Sequence, residues 1–318
     1  MMDKIGKVVG KANGSKSPRT VACGFMMGGA DAIPGVSGST IALILGIYEQ
    51  FISALATIIR SPRLARNPQG RAEIISALSF LIPLGVGIVI SYVLITKLLV
   101  GGTADKDALM KAKDTAPFCY AFFFGLVLLS LREPWRRIRK KSLYGGLAVA
   151  IGFAASFTFS GLPYATAEPA TWMLLFGGAA AISVMLLPGV SGSLLLVMLG
   201  QYNAVVEALH SGDFFRFGVF LGGILLGALL FVPLLKELLA RAHDLTMAML
   251  SGLMAGSLRA LWPWKSSYDP KEEAMLNILP DSDWWWSLLA FAGGAAVVIL
   301  LRQFERKLRN DSTIKQAG

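Results

Sequence analysis

The sequence predicts an all-α polytopic membrane protein, an inverted-topology repeat in which each half is a re-entrant broken-helix hairpin plus three transmembrane helices. Three observations carry that prediction. Hydrophobic residues fill 54% of the 318 positions and charged residues only 16%, whereas a soluble domain is about a quarter charged. The hexapeptide Pro34-Gly35-Val36-Ser37-Gly38-Ser39 recurs intact as Pro188-Gly189-Val190-Ser191-Gly192-Ser193, each copy inside an apolar stretch where a helix breaker is expensive. Each half also contains an odd number of crossings, so the second copy must sit upside down relative to the first.

Apolar runs approaching or exceeding the ~20 residues a spanning helix needs cover about 74 to 100, 116 to 131, 143 to 160, 214 to 235, 244 to 261 and 284 to 301. The stretches 20 to 33 with 39 to 59, and 171 to 187 with 193 to 210, form two pairs joined only by the hexapeptide. The first arm is short, glycine-rich (Gly24, Gly28, Gly29) and holds Asp31. This favours re-entrant hairpins at about 20 to 59 and 171 to 210, with two full crossings per pair as the alternative. Irregular backbone at membrane depth must be covered by protein or line a polar cavity. The repeats are 1 to 160 and 161 to 318, within one integral membrane domain. The likeness extends past the hexapeptide. Leu45-Gly46 and Tyr48 match Leu199-Gly200 and Tyr202, and Gly125-Leu126, Ser130-Leu131-Arg132 and Trp135 match Gly252-Leu253, Ser257-Leu258-Arg259 and Trp262.

Loop charge sets the orientation. The N-terminus (Lys4, Lys7, Lys11, Lys16, Arg19) and segments 60 to 71, 132 to 141 and 302 to 315 are basic, and all fall on one side. The connections 161 to 170 and 262 to 283 carry Glu168, Asp269, Glu272, Glu273, Asp281 and Asp283 against only Lys265 and Lys271. The positive-inside rule then places both termini in the cytoplasm, with Trp284-Trp285-Trp286 in the outer aromatic belt. The basic N-terminus lacks the apolar core and cleavage site of a secretory signal. The net charge of +10 sits in clusters flanking apolar segments, a topology and lipid signal rather than a nucleic-acid footprint. Cys23 and Cys119 lie in apolar surroundings and read as small hydrophobes.

The broken hairpins are the candidate site. Discontinuous helices place free backbone N–H groups near the midplane, aimed at an anionic substrate group. Ser37, Gly38, Ser39, Thr40, Ser191, Gly192 and Ser193 supply hydroxyls and close backbone approach; the alternative is a tight turn serving only packing. Arg132 and Arg259 hold equivalent places and are candidates to complete a phosphate site through bidentate contacts, or else they snorkel. Asp31 and Glu49 have no acidic counterparts in the second half. Intramembrane carboxylates are functional candidates, so they are expected to carry a coupled proton or sodium ion, or to cap the broken helix. Glu207, Lys97, Lys236, His210 and His243 lie near helix ends and read as interfacial. No cofactor is expected, and no His, Cys, Asp or Glu pair has metal-ligand spacing.

The doubled hexapeptide, the preceding Asp31-Ala32-Ile33 and the two-half layout over nearly the whole chain resemble the bacterial polyprenyl-phosphate (undecaprenyl phosphate) translocase family, long filed as a domain of unknown function. The resemblance implies a transporter of the bacterial cytoplasmic membrane that returns the lipid carrier phosphate from outer to inner leaflet for peptidoglycan and other envelope polymers. The hexapeptide is also similar, more distantly, to the Pro-Gly-x-Ser-Arg-Ser-x-x-Thr signature of membrane undecaprenyl-diphosphate phosphatases. Here Gly38 and Gly192 replace its arginine, and Ala42 and Leu196 its threonine. A phosphate cradle without groups that stabilise a hydrolytic transition state implies a transporter rather than an enzyme. A small-anion channel or exchanger and a lipid-diphosphate phosphatase are the rival readings.

Overall fold

The computed structural model describes residues 17–32, 37–96, 112, 114–162, 168–268, 276–280 and 284–317, with the side chains of residue 17 and of 304–317 outside the description. Among the described residues the chain is helical, apart from one antiparallel bridge between Lys265 and Asn277. The helices in chain order are α1 Ser17–Asp31, α2 Gly38–Ile44, α3 Tyr48–Ile59, α4 Ser61–Leu64, α5 Pro68–Ile95, α6 Ala116–Ser130, α7 Arg132–Arg137, α8 Leu143–Phe159, α9 Thr171–Met185, α10 Gly192–Met198, α11 Tyr202–Ser211, α12 Phe214–Arg241, α13 His243–Ser257 and α14 Trp284–Ala317.

The predicted spans fall within a few residues of α5, α6, α8, α12, α13 and the first half of α14. Helices α5, α12, α14 and the α6–α7 pair are long and apolar enough to cross a membrane. Large apolar side chains such as Ile75, Ile82 and Val89 on α5 and Leu225 and Leu230 on α12 are exposed. Their exposure follows from a solvent of lipid tails, and the chain is a multi-pass membrane protein.

Both hairpins are broken at the repeated hexapeptide. Their outgoing arms, however, are not the single segments 39 to 59 and 193 to 210 that the sequence suggested. Each breaks a second time: α2 and α3 meet at 120°, α10 and α11 at 97°. Gly46 and Gly200 make these corners at φ 72° and 67°, a left-handed backbone that costs any side-chain-bearing residue about 1–2 kcal/mol. The corners follow short helices of 7 residues each.

Helix packing follows a duplicated plan with an exchange. Within each half the incoming hairpin arm packs along the next span, α1 on α5 and α9 on α12. The middle spans take their main partners from the opposite half, since α6 packs along α14 while α13 packs along α8. In all four pairs glycine brings backbones into contact, as small residues do between membrane helices. A Cβ at Gly24 would fall on the Leu84 carbonyl, at Gly223 on the Leu175 carbonyl, at Gly125 on the Phe291 carbonyl and at Gly252 on the Val149 carbonyl. Buried hairpin residues Ile41, Leu43, Tyr48 and Val190 form the central core with Tyr120 and Val127 of α6 and Met247, Leu250 and Met254 of α13.

Candidate functional site

The second chain break meets the start of α2 and of α3 in this core. The Gly189 N–H of the second break donates to Thr40 Oγ1 of α2 at 2.9 Å, and the Tyr48 hydroxyl of α3 donates to the Leu186 carbonyl at 2.9 Å. Thr40 and Tyr48 are fully buried. Gly189 has φ 89°, and a Cβ there would stand 2.5 Å from Met254 Cα on α13, so turn and close approach both require glycine.

The hydroxyls are arranged alike in both halves. Ser37 Oγ lies 2.6 Å from Ser39 Oγ, and Ser191 Oγ lies 2.9 Å from Ser193 Oγ. Ser37, Ser39 and Ser191 are buried. Gly38 and Gly192 let each outgoing helix lie against its incoming arm: a Cβ at Gly38 would strike the Asp31 carboxylate and Met27 carbonyl, and one at Gly192 the Ala181 carbonyl. No arginine fits at either place. Pro34, Gly35 and Val36 of the first hexapeptide lie outside the described residues.

The structure distributes the predicted charges unevenly. Asp31 stays with the first hairpin, where its Oδ1 accepts the Gly38 N–H at 2.6 Å, the capping geometry. Glu49 does not line the interior. The corner at Gly46 turns α3 away, and Glu49 Oε1 stands 3.5 Å from both Arg137 Nη1 and His243 Nε2, half exposed at the end where the basic segments gather. Arg137 Nη2 also donates to the Leu43 carbonyl at the end of α2, at 2.9 Å. The sequence reading passed over Arg137; its one distinguishing signal was membership of the 132 to 141 cluster.

Arg132 and Arg259 are not brought together. Arg132 is exposed at the start of α7, the helix that packs on α13, and the N–H groups of Arg139 and Lys140 bind Asp244 in the first turn of α13. Arg259 follows the other end of α13. It donates to the Phe157 carbonyl at 3.0 Å and lies 4.6 Å from the Phe157 ring. The 15 residues of α13 put about 22 Å between those ends at 1.5 Å per residue.

Beyond Arg259, segment 258 to 268 folds over α6. Trp262 meets Phe124 edge-on at 6.0 Å, and Tyr268 meets Tyr120 at 5.7 Å. Under this cover Lys265 is 6% exposed. Its Nζ donates to Asn277 Oδ1 at 3.1 Å and stands 5.3 Å from the Tyr120 ring centre. Burial, and secondarily the nearby Arg259 charge, hold its pKa down at about 8. Among the described residues no cluster of His, Cys, Asp or Glu is arranged to hold a metal ion.

These features define a class: a helical membrane protein with two chain interruptions packed together in its interior and serine hydroxyl pairs at both. Residues 27–277 match the family model described as VCA0040-like, undecaprenyl phosphate translocase-like. The chain is 35% identical over 246 residues to a polyprenyl-phosphate transporter of Vibrio cholerae, covering 77% of each protein. It is 28% identical over 258 residues to a polyprenyl-phosphate transporter of Staphylococcus aureus, covering 76% of this chain and 84% of that protein. The chain belongs to the undecaprenyl phosphate translocase-like family. No solved structure matches it.

Proposed function

We propose that the protein transports a polyprenyl phosphate, with undecaprenyl phosphate the expected substrate, across the bacterial cytoplasmic membrane and returns it from the outer to the inner leaflet for envelope synthesis. The observation that carries this reading is the hydrogen bond from Gly189 N–H to Thr40 Oγ1. It joins the second interruption to the start of α2 inside an apolar core, and in this reading the phosphate sits between the serine pairs Ser37–Ser39 and Ser191–Ser193 that flank that contact. A phosphate moved through hydrocarbon without partners costs many kcal/mol, and that locus gives it partners halfway. The prenyl tail is as apolar as the bilayer and needs no enclosure. A groove of about 290 Å³ beside the second hairpin, with Ala179, Ser183, Gly227 and Leu230 in its walls, is open for it to trail through.

In this reading the two halves are inverted copies, both termini are cytoplasmic, and Arg132 and Arg259 receive the phosphate at opposite ends of its path rather than jointly at the centre. Asp31 caps α2 and is the remaining candidate for a coupled proton or sodium ion; Glu49, paired at the basic end, serves to close that end. The glycines at positions 38 and 192 argue against phosphatase chemistry, because they exclude the arginine that a hydrolytic site would employ.

The test is titration of the detergent-solubilised protein with a short-chain polyprenyl phosphate. The variant S37A/S191A removes one hydroxyl from each pair. At about 1.5–3 kcal/mol for a hydrogen bond to a charged group, it should bind at least tenfold more weakly with its unfolding temperature unchanged. Unchanged affinity would remove the cradle, release of phosphate from a polyprenyl diphosphate would make the protein an enzyme, and tight binding of inorganic phosphate alone would make it an anion carrier.

A further inference from the structure

We propose that Lys265, flanked by Arg259, forms a separate anion-receiving site at the end of the protein opposite the basic loops, where a phosphate monoester docks before reaching the serine pairs. This rests on the transport reading and adds to it a residue and a place.

Lys265 is an ammonium group almost wholly removed from solvent, and its polar side-chain partner is neutral, the Asn277 amide oxygen. Arg259 is close enough to disfavour the Lys265 charge, so two cations share one neighbourhood, and neither forms an ion pair among the described residues. Among the described residues the other titratable groups facing Lys265 are tyrosines. Tyr120 of α6 presents its ring, and Tyr268 spends its O–H on the Pro263 carbonyl at 2.6 Å. Burying a cation without an anion is strongly unfavourable, and a passing oxyanion relieves that cost.

The opposite end shows what a purely structural cation looks like here. Arg137 reaches the end of the first hairpin's outgoing arm but carries Glu49 as its counter-ion. Among the described residues Lys265 has no such carboxylate. Its position also suits a waiting site, since Tyr120 and Tyr268, which flank it, belong to the same core as Val190 of the second break and Ile41 of α2. The shared chemistry of the ligands it would accept is a dianionic or monoanionic phosphate; a lipid phosphate and free phosphate both qualify, and we infer the lipid.

The experiment uses the full chain in detergent, titrated separately with farnesyl phosphate, farnesol and inorganic phosphate. Lys265→Gln should weaken farnesyl phosphate binding tenfold or more and leave farnesol binding unchanged, while Lys265→Arg should recover most of the affinity. Asn277→Ala, which removes the loop bond but keeps the cation, should bind as the parent protein does. Equal loss in Asn277→Ala and Lys265→Gln would show that the lysine merely holds the loop, and unchanged affinity in Lys265→Gln would overturn the site. Inorganic phosphate binding as tightly as farnesyl phosphate, and in a Lys265-dependent way, would overturn the lipid assignment. Failure of the parent protein to bind farnesyl phosphate would sink the transport reading itself, whereas normal parent binding lost only in S37A/S191A would leave the cradle and remove Lys265.

Discussion

The two hairpins share six identical residues and yet are locked by different chemistry. The first is closed by acidic and basic side chains: the Asp31 carboxyl caps Gly38, and the Arg137 guanidinium, paired with Glu49, holds the end of α2. The second is closed by neutral groups, most of them borrowed from the first, since Thr40 holds Gly189 and Tyr48 holds Leu186. Its own Ser191 hydroxyl lies 3.5 Å from the Leu194 N–H, a marginal cap. The repeated motif thus sets the turn and its lining, while the diverged flanks decide which hairpin can loosen. The first hairpin is tied by its own flanking residues and Arg137, and the second depends on contact with its twin.

The largest expected effect concerns the end cations. Lys265 titrates near 8 in the folded protein and at 10.5 ordinarily, so between those values the unfolded chain binds more protons and stability must rise with pH. The difference of 10.5 − 8 units is worth about 3 kcal/mol at 1.36 kcal/mol per unit. Chemical denaturation at pH 7.5 and 10 should show about 2 kcal/mol of that rise for the parent and lose it in Lys265→Met, whereas Arg137→Met should leave it intact.

Removing the first hairpin's carboxyl cap, Asp31→Ala, should cost about 1 kcal/mol in unfolding free energy, and Asp31→Asn, which keeps an acceptor oxygen, should cost less. A cost near zero would mean that the cap does not hold the first hairpin. Thr40→Val strips the acceptor from a buried N–H and should cost about 1–2 kcal/mol; Thr40→Ser should restore it. Because the loss falls on the second hairpin, hydrogen exchange should quicken around Gly189 and not around Gly38. The smallest effect belongs to Glu49 and Arg137, whose half-exposed pairing should give a double-mutant coupling below about 1 kcal/mol. A larger coupling would make the basic end a firm clamp rather than a loose one.

Much of this architecture can be read from residue types, and the parts that cannot have physical reasons. Proline beside glycine in an apolar run marks both primary breaks. The second corners escaped because a lone glycine in such a run is compatible with continuous helix, and only the left-handed conformation of Gly46 and Gly200 makes them turns. That omission displaced Glu49, since three turns counted along a straight helix lead inward while the bent one leads to Arg137. The expectation that Arg132 and Arg259 share one phosphate conflicts with the inversion argument itself, because equivalent positions in inverted copies face opposite ends. The exchange of α8 and α14 between halves left no trace in the sequence. Helices that are apolar all round have no polar stripe to indicate which neighbour each face will meet.

That exchange bears on how the protein is made. A ribosome releases the first half complete in sequence, but α6 must wait for α14, which is synthesised much later, before its glycine face is covered. The nascent chain therefore dwells in the bilayer with an unfilled seam until α14 follows the intervening helices. A stop codon placed before α14 should yield a first half that inserts normally yet falls to membrane proteases.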